Sequence, residues 1–320
     1  VRTPSATVVV CAHTTERIGV LGQALRSLDA QTRPPDQVVL VIDHNEALMT
    51  YARLAWPALD IVAADDPAGL SAARNTGLAV ARHDIVAFLD DDAEADPAWL
   101  QRIGAAFADP TVQAVGGRAV PQWPGERPRW FHPTFDWVVG CTHEGSPTTP
   151  ARVRNVIGCS MAFRASALAA LGGFDTGVGR GAADALGAEE TELCIRLRRL
   201  LGPDSVLFDP TIQVRHHVDG DRARMRYYLR RCHGEGRSKA RVASTQGPDD
   251  ALSSERAHLR ATLPAALGRC LGTPAGLRNG GPAQAAAIVA GVLAAAAGYA
   301  TEHQRLARQD RLPRHEEAIA

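Results

Sequence analysis

The sequence predicts an α/β fold: a doubly wound, mixed but mostly parallel sheet flanked by helices, followed by a C-terminal helical extension. Three observations predict it. Short unbroken apolar runs recur at 8–12, 38–42 and 85–89, the pattern of strands covered on both faces. Segments with apolar residues at helical spacing fall between them, and such alternation favours parallel strands joined by helical crossovers. Beyond Arg222 the chain turns basic and then alanine-rich, and the strand signal ends.

Val8, Val9, Val10, Cys11 and Ala12 form the first strand. Leu21, Ala24, Leu25 and Leu28 recur on one helical face, and Pro34 with Pro35 closes that pattern. The run at 38–42 repeats the strand signal and ends on Asp43. A weakly helical stretch through Trp56 leads to a short strand at Ile61, Val62 and Ala63; 71–80 reads as helix and 85–89 as a further strand. Asp96 and Pro97 supply an N-cap and a first-turn proline for a helix that points Leu100, Ile103 and Phe107 to one side. Residues 121–150 carry Trp, Pro, His and Gly without a period, a long irregular excursion of the kind that is often functional. The run at 285–300 is apolar but shorter than the roughly 20 residues a bilayer crossing needs. It is expected to pack internally, with membrane or dimer contact as the alternative. The composition shift divides the chain near Gly220, into 1–220 and 221–320.

With 320 residues, 45% of them hydrophobic, the chain has material for one large core and a smaller appended unit. Lys+Arg and Asp+Glu both total 35, so no global field recruits nucleic acid. The six cysteines show no close pair with zinc-ligand or redox spacing and read as small buried hydrophobes. The first residues lack the layout of a secretory signal. Cytoplasmic placement, free or at the inner face of a membrane, is the expectation.

Asp90, Asp91 and Asp92 follow directly on an apolar strand, at the edge where open α/β sheets place their ligands. Adjacent carboxylates repel one another and call for cations, and hard oxygen donors suit Mg²⁺ or Mn²⁺ beside substrate phosphates. A solvated acidic turn is the bland alternative. The stretch from Gly69, Leu70 and Ser71 through Arg74, Asn75, Thr76 and Gly77, the strand at 85–89, the triplet, and Asp96 with Pro97 together resemble the central signature of the family 2 glycosyltransferases. The resemblance extends from Val8 to about Lys239.

That resemblance implies a GT-A fold and inverting transfer of a hexose-type sugar from a nucleotide-sugar, with a UDP-sugar such as UDP-glucose as the expected donor. It assigns a metal, Mn²⁺ or Mg²⁺, to Asp92, and the ribose or base of the donor to Asp90 and Asp91. Asp43 matches the acidic group that faces the nucleobase, and Arg74 lies near the donor. Ala12, His13 and Glu16 occupy the loop that grips the nucleotide, although relatives often carry Thr-Tyr-Asn where this chain has Ala12, His13 and Thr14. His216 or His217, with His216 preferred, completes the metal or diphosphate site. In the Glu-Asp position of the family stand Glu189 and Glu190, so the resemblance makes Glu190 the general base and Glu189 the second candidate.

Helical spacing agrees with the preference for Glu190. On a stripe containing Leu193, Leu197 and Leu200 it falls nearest the apolar side, Glu189 somewhat off it, and Glu192 toward a charged face with Arg199. Residues 177–181 read as a loop that closes on bound donor. The basic stretch 222–241 is read as a solvated helix or as a contact for donor diphosphate, anionic acceptor or membrane. The acceptor class stays open among lipid-linked, glycan and small-metabolite hydroxyls, and a homodimer is an alternative assembly. Two competing readings remain: an Asp-x-Asp phosphatase using Asp90 and Asp92, and a non-catalytic nucleotide-sugar binder.

Overall fold

The computed structural model describes residues 4–178 and 187–309. The strands are β1 (Ala6–Ala12), β2 (Gln37–Ile42), β3 (Asp60–Ala63), β4 (Ile85–Asp90), β5 (Ala93–Ala95), β6 (Ala114–Gln122), β7 (Ala151–Arg152), β8 (Ser160–Arg164) and β9 (Val206–His217). They form one mixed sheet in the order β3-β2-β1-β4-β8-β6-β9-β5, with β7 also paired to β9. The N-terminal half is parallel: β1 pairs with β2 and β4, and β2 with β3. Antiparallel pairing enters at β4 with β8 and continues in β6 with β8 and β5 with β9.

The apolar runs are strands because both faces are covered. Val8 and Val10 of β1 join one core with Leu40, Ile42, Ile85 and Leu89, while Val9 joins the other with Val39, Val41, Val86 and Phe88. Helices α1 (Ile18–Asp29), α2 (Glu46–Ala55) and α4 (Trp99–Ala106) cover the first face. Helices α3 (Leu70–Val80), α5 (Ala165–Leu171) and α6 (Glu189–Leu201) cover the second. Helix α4 starts later than its sequence suggests. Pro97 and Ala98 turn first, with the Asp96 carboxylate accepting from the Ala98 N–H at 3.1 Å, so Asp96 makes the turn and Ala98 is the N-cap.

After β9 every described element is helical: a 3-10 turn (Gly220–Ala223), α7 (Met225–Gln246), α8 (Pro248–Ala251), α9 (Ser253–Ala257), a π-helical turn (His258–Thr262), α10 (Leu263–Gly272), α11 (Pro274–Arg278) and α12 (Gly281–Gln309). These helices are not a solvated appendage. Tyr228, Cys232, Leu263 and Ile288 share a core with Phe131 and Phe135 of the irregular 121–150 region, and α7 buries Arg231 and Lys239 as well.

Helix α12 is 29 residues long, beyond the expected apolar run, and by length and composition it is long and apolar enough to cross a membrane. Its extension has a visible cause: Arg237, Arg241 and Arg305 all hold the buried carboxylate of Glu302, which keeps the polar C-terminal turns helical. It lies along α7, where glycines let the backbones touch. A Cβ on Gly236 would sit 1.9 Å from the Ala295 carbonyl oxygen, and one on Gly298 2.0 Å from that of His233.

Two details of α6 differ from helical-wheel expectation. Glu192 is 2% exposed and pairs with Arg196 at 2.7 Å, not with Arg199, which pairs with Asp250. Leu200 is exposed, because Leu193, Cys194, Ile195 and Leu197 already fill the contact with the sheet and α7. The predicted closing loop at 177–181 lies outside the described residues from 179 onward.

Candidate active site

A cleft of about 1110 Å³ opens at the carboxyl ends of β1, β2 and β4. His13, Asp43, Arg74, Asp90, Asp91, Asp92, Glu189, Glu190 and His216 all line it, although they come from six separate segments of the chain. Of the residues assigned to the donor, Ala12 and Glu16 do not line it. Ala12 is a buried strand residue whose carbonyl accepts from Asp43, and Glu16 is exposed on the turn before α1.

The triplet is reached from two sides. β4 ends on Asp90, and the chain then turns into β5, which pairs with the last residues of β9. The His217 amide donates to the Asp92 carbonyl at 2.7 Å, so the end of β9 is stitched to the triplet. This puts His216 Nε2 3.1 Å from Asp92 Oδ1, while His217 turns away toward Asp219. Gly140, at φ 80°, lets the chain pass behind the imidazole; a Cβ there would lie 3.3 Å from the ring.

Candidate ligand atoms of Asp90, Asp92 and His216 lie within 4.8 Å of one another. Two carboxylates and an imidazole are a donor set suited to Mn²⁺ and similar divalent ions, so the residues fit the metal that the sequence implies. Asp90 thus groups with Asp92, and Asp91 faces elsewhere. One Asp91 oxygen takes a hydrogen bond from Arg17 at 3.2 Å; the other is buried with no hydrogen-bond partner among the described residues.

Two arginines that motif reasoning did not single out neutralise this end of the cleft. Arg17 lies 3.1 Å from Asp92, and Arg222 lies 3.2 Å from it. Burial works against charge here, but the partners win at Asp92: His216 first, then Arg222 and Arg17, hold its pKa well below the usual carboxylate range. His216, although buried, is raised to about 10 by the charge and hydrogen bond of Asp92. Burial and the neighbouring Asp92 charge push Asp91 the other way, to about 7.

At the nucleotide end, Asp43 Oδ2 accepts from the Gly69 N–H at 3.1 Å, and its Oδ1 meets His44 Nδ1 at 2.7 Å. His44, in the left-handed region at φ 49°, bridges on to Asp66 at 2.8 Å. The hydrogen bonds to Asp43 and Asp66 raise its pKa. His44 follows Asp43 directly, yet nothing in its local pattern marks it.

The two glutamates of α6 are in different states. Arg74, 2% exposed, donates to Glu189 Oε1 at 2.8 Å, to Asp90 at 3.3 Å and to the Gly158 carbonyl at 3.1 Å. Glu189 is therefore bound in a buried ion pair. Glu190 has no ion pair among the described contacts; its carboxylate accepts from the Thr191 hydroxyl at 3.4 Å. Burial first, and the adjacent Glu189 charge second, raise its pKa from 4.5 to about 7.

A mixed α/β sheet with an acidic strand end, an imidazole beside it and a free carboxylate across the cleft defines a GT-A enzyme of the nucleotide-sugar class. The model of the "Glycosyl transferase family 2" matches residues 7–172. A glucosyl-dolichyl phosphate glucuronosyltransferase of Haloferax volcanii is 31% identical over 236 residues, which is 72% of this chain and 75% of that protein. A pre-mycofactocin glycosyltransferase of Mycobacterium tuberculosis is 35% identical over 130 residues, 40% of this chain and 26% of the relative. Among solved structures, a mannosyltransferase of Pyrobaculum calidifontis in complex with GDP-Man and Mn²⁺ shares the fold at a TM-score of 0.57 and 24% identity, over 96% of this chain and 81% of its own. The chain belongs to glycosyl transferase family 2, which weighs against the phosphatase reading.

Proposed function

We propose that the protein transfers a hexose from a nucleoside-diphosphate sugar, with UDP-hexoses the first donors to test, to an acceptor hydroxyl with inversion. The observation that carries the reading is the contrast within α6: Glu189 is locked to Arg74, and Glu190 is left unpaired on the cleft with a raised pKa. A carboxylate whose pKa sits near the working pH is suited to take a proton in the transition state.

In this reading Asp43 receives hydrogen bonds from the nucleobase, and Arg74 fixes Glu189 and Asp90 as one rigid wall. Asp90, Asp92 and His216 would hold a divalent metal, which would supply positive charge beside the diphosphate. Arg17 and Arg222 already reach Asp92 and stand ready to pair with phosphate oxygens. The acceptor oxygen forms its bond to the anomeric carbon as the bond to the diphosphate breaks, and its proton passes to a Glu190 oxygen. Units 1–220 and 221–320 divide this work, the first taking the donor and the second closing the acceptor side. The apolar length of α12 supports work at a membrane surface.

The named relatives act on different acceptors, so their names do not choose one for this chain. The test is donor turnover in the presence of Mn²⁺, followed for UDP- and GDP-hexoses. Loss of turnover in Glu190→Gln and its partial survival in Glu189→Gln support the reading. Undiminished turnover in Glu190→Gln would falsify it.

A further inference from the structure

At the nucleotide end of the cleft one side chain is left without a task. His44 lines the cleft beside Asp43, Ala68 and Gly69, and both of its ring nitrogens face carboxylates. Nδ1 lies 2.7 Å from Asp43 Oδ1, and Nε2 lies 2.8 Å from Asp66 Oδ1. A carboxylate only accepts, so each contact needs a proton on the nitrogen. Neutral imidazole carries one such proton, and only the imidazolium carries two. With both bridges made, His44 is therefore a cation. Its hydrogen bonds to Asp43 and then Asp66 also raise its pKa above the ordinary 6.5. The backbone at His44, φ 49°, lies in the left-handed region, uncommon for a residue with a side chain and kept where surrounding contacts hold it.

What the bridge holds is the carboxylate assigned to the nucleobase. The Gly69 N–H donates to Asp43 Oδ2 at 3.1 Å while His44 holds Oδ1, so the group cannot turn without breaking a contact. Gly69 and Asp66 belong to one short segment between β3 and α3, and His44 ties that segment to the end of β2 a second time. A receptor already held rigid loses less entropy when a base N–H docks on it. Removing one proton from His44 undoes this. The Asp66 contact gives way first, because that side chain is 93% exposed and water replaces the imidazole there. The contact left with Asp43 no longer joins two charges and is weaker for it.

The titratable groups around the ring come from four segments. Asp43 ends β2, and Glu46 stands exposed in the first turn of α2. After β3, Asp66 meets the ring, while Asp65 accepts from the Thr76 hydroxyl of α3. β1 and its loop bring Cys11, a neutral thiol pushed up to about 12 by burial, and His13, whose carbonyl accepts from the Asn45 side chain at 3.0 Å. Among the described contacts, Asp43 and Asp66 are the groups that touch the ring.

We propose that His44 is a positioning residue for the donor: as a cation it locks Asp43 and the 66–69 segment into one nucleobase receptor, and on losing a proton it loosens the nucleotide. Donor affinity is full while His44 is protonated and falls as pH rises through its raised pKa. The effect belongs to donor binding and is separate from the ionisation of Glu190. It rests on the functional reading above, in which Asp43 takes the base.

The test is calorimetric binding of UDP-glucose and of GDP-mannose, with Mg²⁺ and without acceptor, to wild type and Asp66→Ala at pH 6 and pH 8.5. Asp66 is exposed and stands outside the cleft lining, so its removal reaches the nucleotide only through His44. Asp91 and Glu190 titrate in the same window, and the ratio of the two proteins' affinities cancels them. For a donor that binds, the ratio is expected to favour wild type by about three- to tenfold at pH 6 and to approach about one at pH 8.5. Loss of a negative charge near an anionic donor acts the other way, favouring the variant at both pH values. In the protein without ligand, nitrogen-15 NMR should show both His44 nitrogens protonated at pH 6, with a lower titration midpoint in Asp66→Ala. An affinity ratio that stays the same at the two pH values, or a singly protonated His44 ring at pH 6, overturns the proposal and leaves the functional reading intact. Binding of neither donor refutes both.

Discussion

At the scale of single residues, chemistry turns on which carboxylates have partners. Glu189 accepts from Arg74 in a buried ion pair, whereas burial raises the pKa of the Glu190 carboxyl to about 7. Glu190→Gln is expected to lower kcat by about 10²–10⁴-fold, the usual worth of a positioned general base. In the unsubstituted protein kcat/KM should rise with pH through about 7, as Glu190 loses its proton, and stopped assays across pH 5.5–8.5 read that limb. The same group carries a stability signature. Its folded pKa lies above the unfolded value, so its contribution is present below about pH 4.5 and is lost as pH rises through about 7. Glu190→Gln should therefore melt a few degrees higher than wild type at pH 8, with the gap closing toward pH 5. A gap that widens on acidification would contradict the burial of this carboxyl. Asp43, Arg74 and the triplet were legible because they sit within short motifs at strand and helix ends. Arg17 and Arg222 were not: they meet Asp91 and Asp92 across 74 and 130 residues of sequence, and no local pattern encodes such a meeting.

At the scale of elements, strands were legible wherever both faces are buried. β1, β2 and β4 are unbroken apolar runs and lie within a residue or two of where the sequence places them. β9 was harder to read. It carries Asp209 and Pro210 inside 12 residues, and the register of its pairing with β6 shifts between Gly117 and Arg118 to accommodate them. The start of α4 was displaced by local turn chemistry at Asp96, and the inner face of α6 by Arg196, which lets Glu192 be buried. The α7 and α12 pair depends on small residues at the contact. Gly236→Ala would press a methyl into the Ala295 carbonyl, an overpacking expected to cost about 1–3 kcal/mol. A denaturant midpoint equal to that of wild type would show that α12 is not held there.

At the scale of the molecule, the cleft joins two kinds of wall: strand ends that carry acids and arginines, and C-terminal helices that carry buried cations and hydrocarbon. The class of fold was readable from the alternation of elements, but the closure of the cleft by α7, α10 and α12 was not, because helix–helix contact through glycines leaves little trace in hydropathy. The charge cluster between the walls makes its own prediction. Burial would raise the Glu255 pKa, but Lys239 and Arg154 bring it down to about 2. Its stabilisation is present above about pH 4.5 and fades as pH falls toward 2, so the deficit of Glu255→Gln in a urea titration should shrink over that range. The central claim, that Asp90, Asp92 and His216 serve sugar transfer through a divalent metal, is tested most directly by donor turnover in protein stripped with a chelator. The account predicts no turnover in the stripped protein, recovery on adding Mn²⁺, and no recovery in Asp92→Asn. Full turnover in the presence of chelator, or by Asp92→Asn at the wild-type rate, would contradict it.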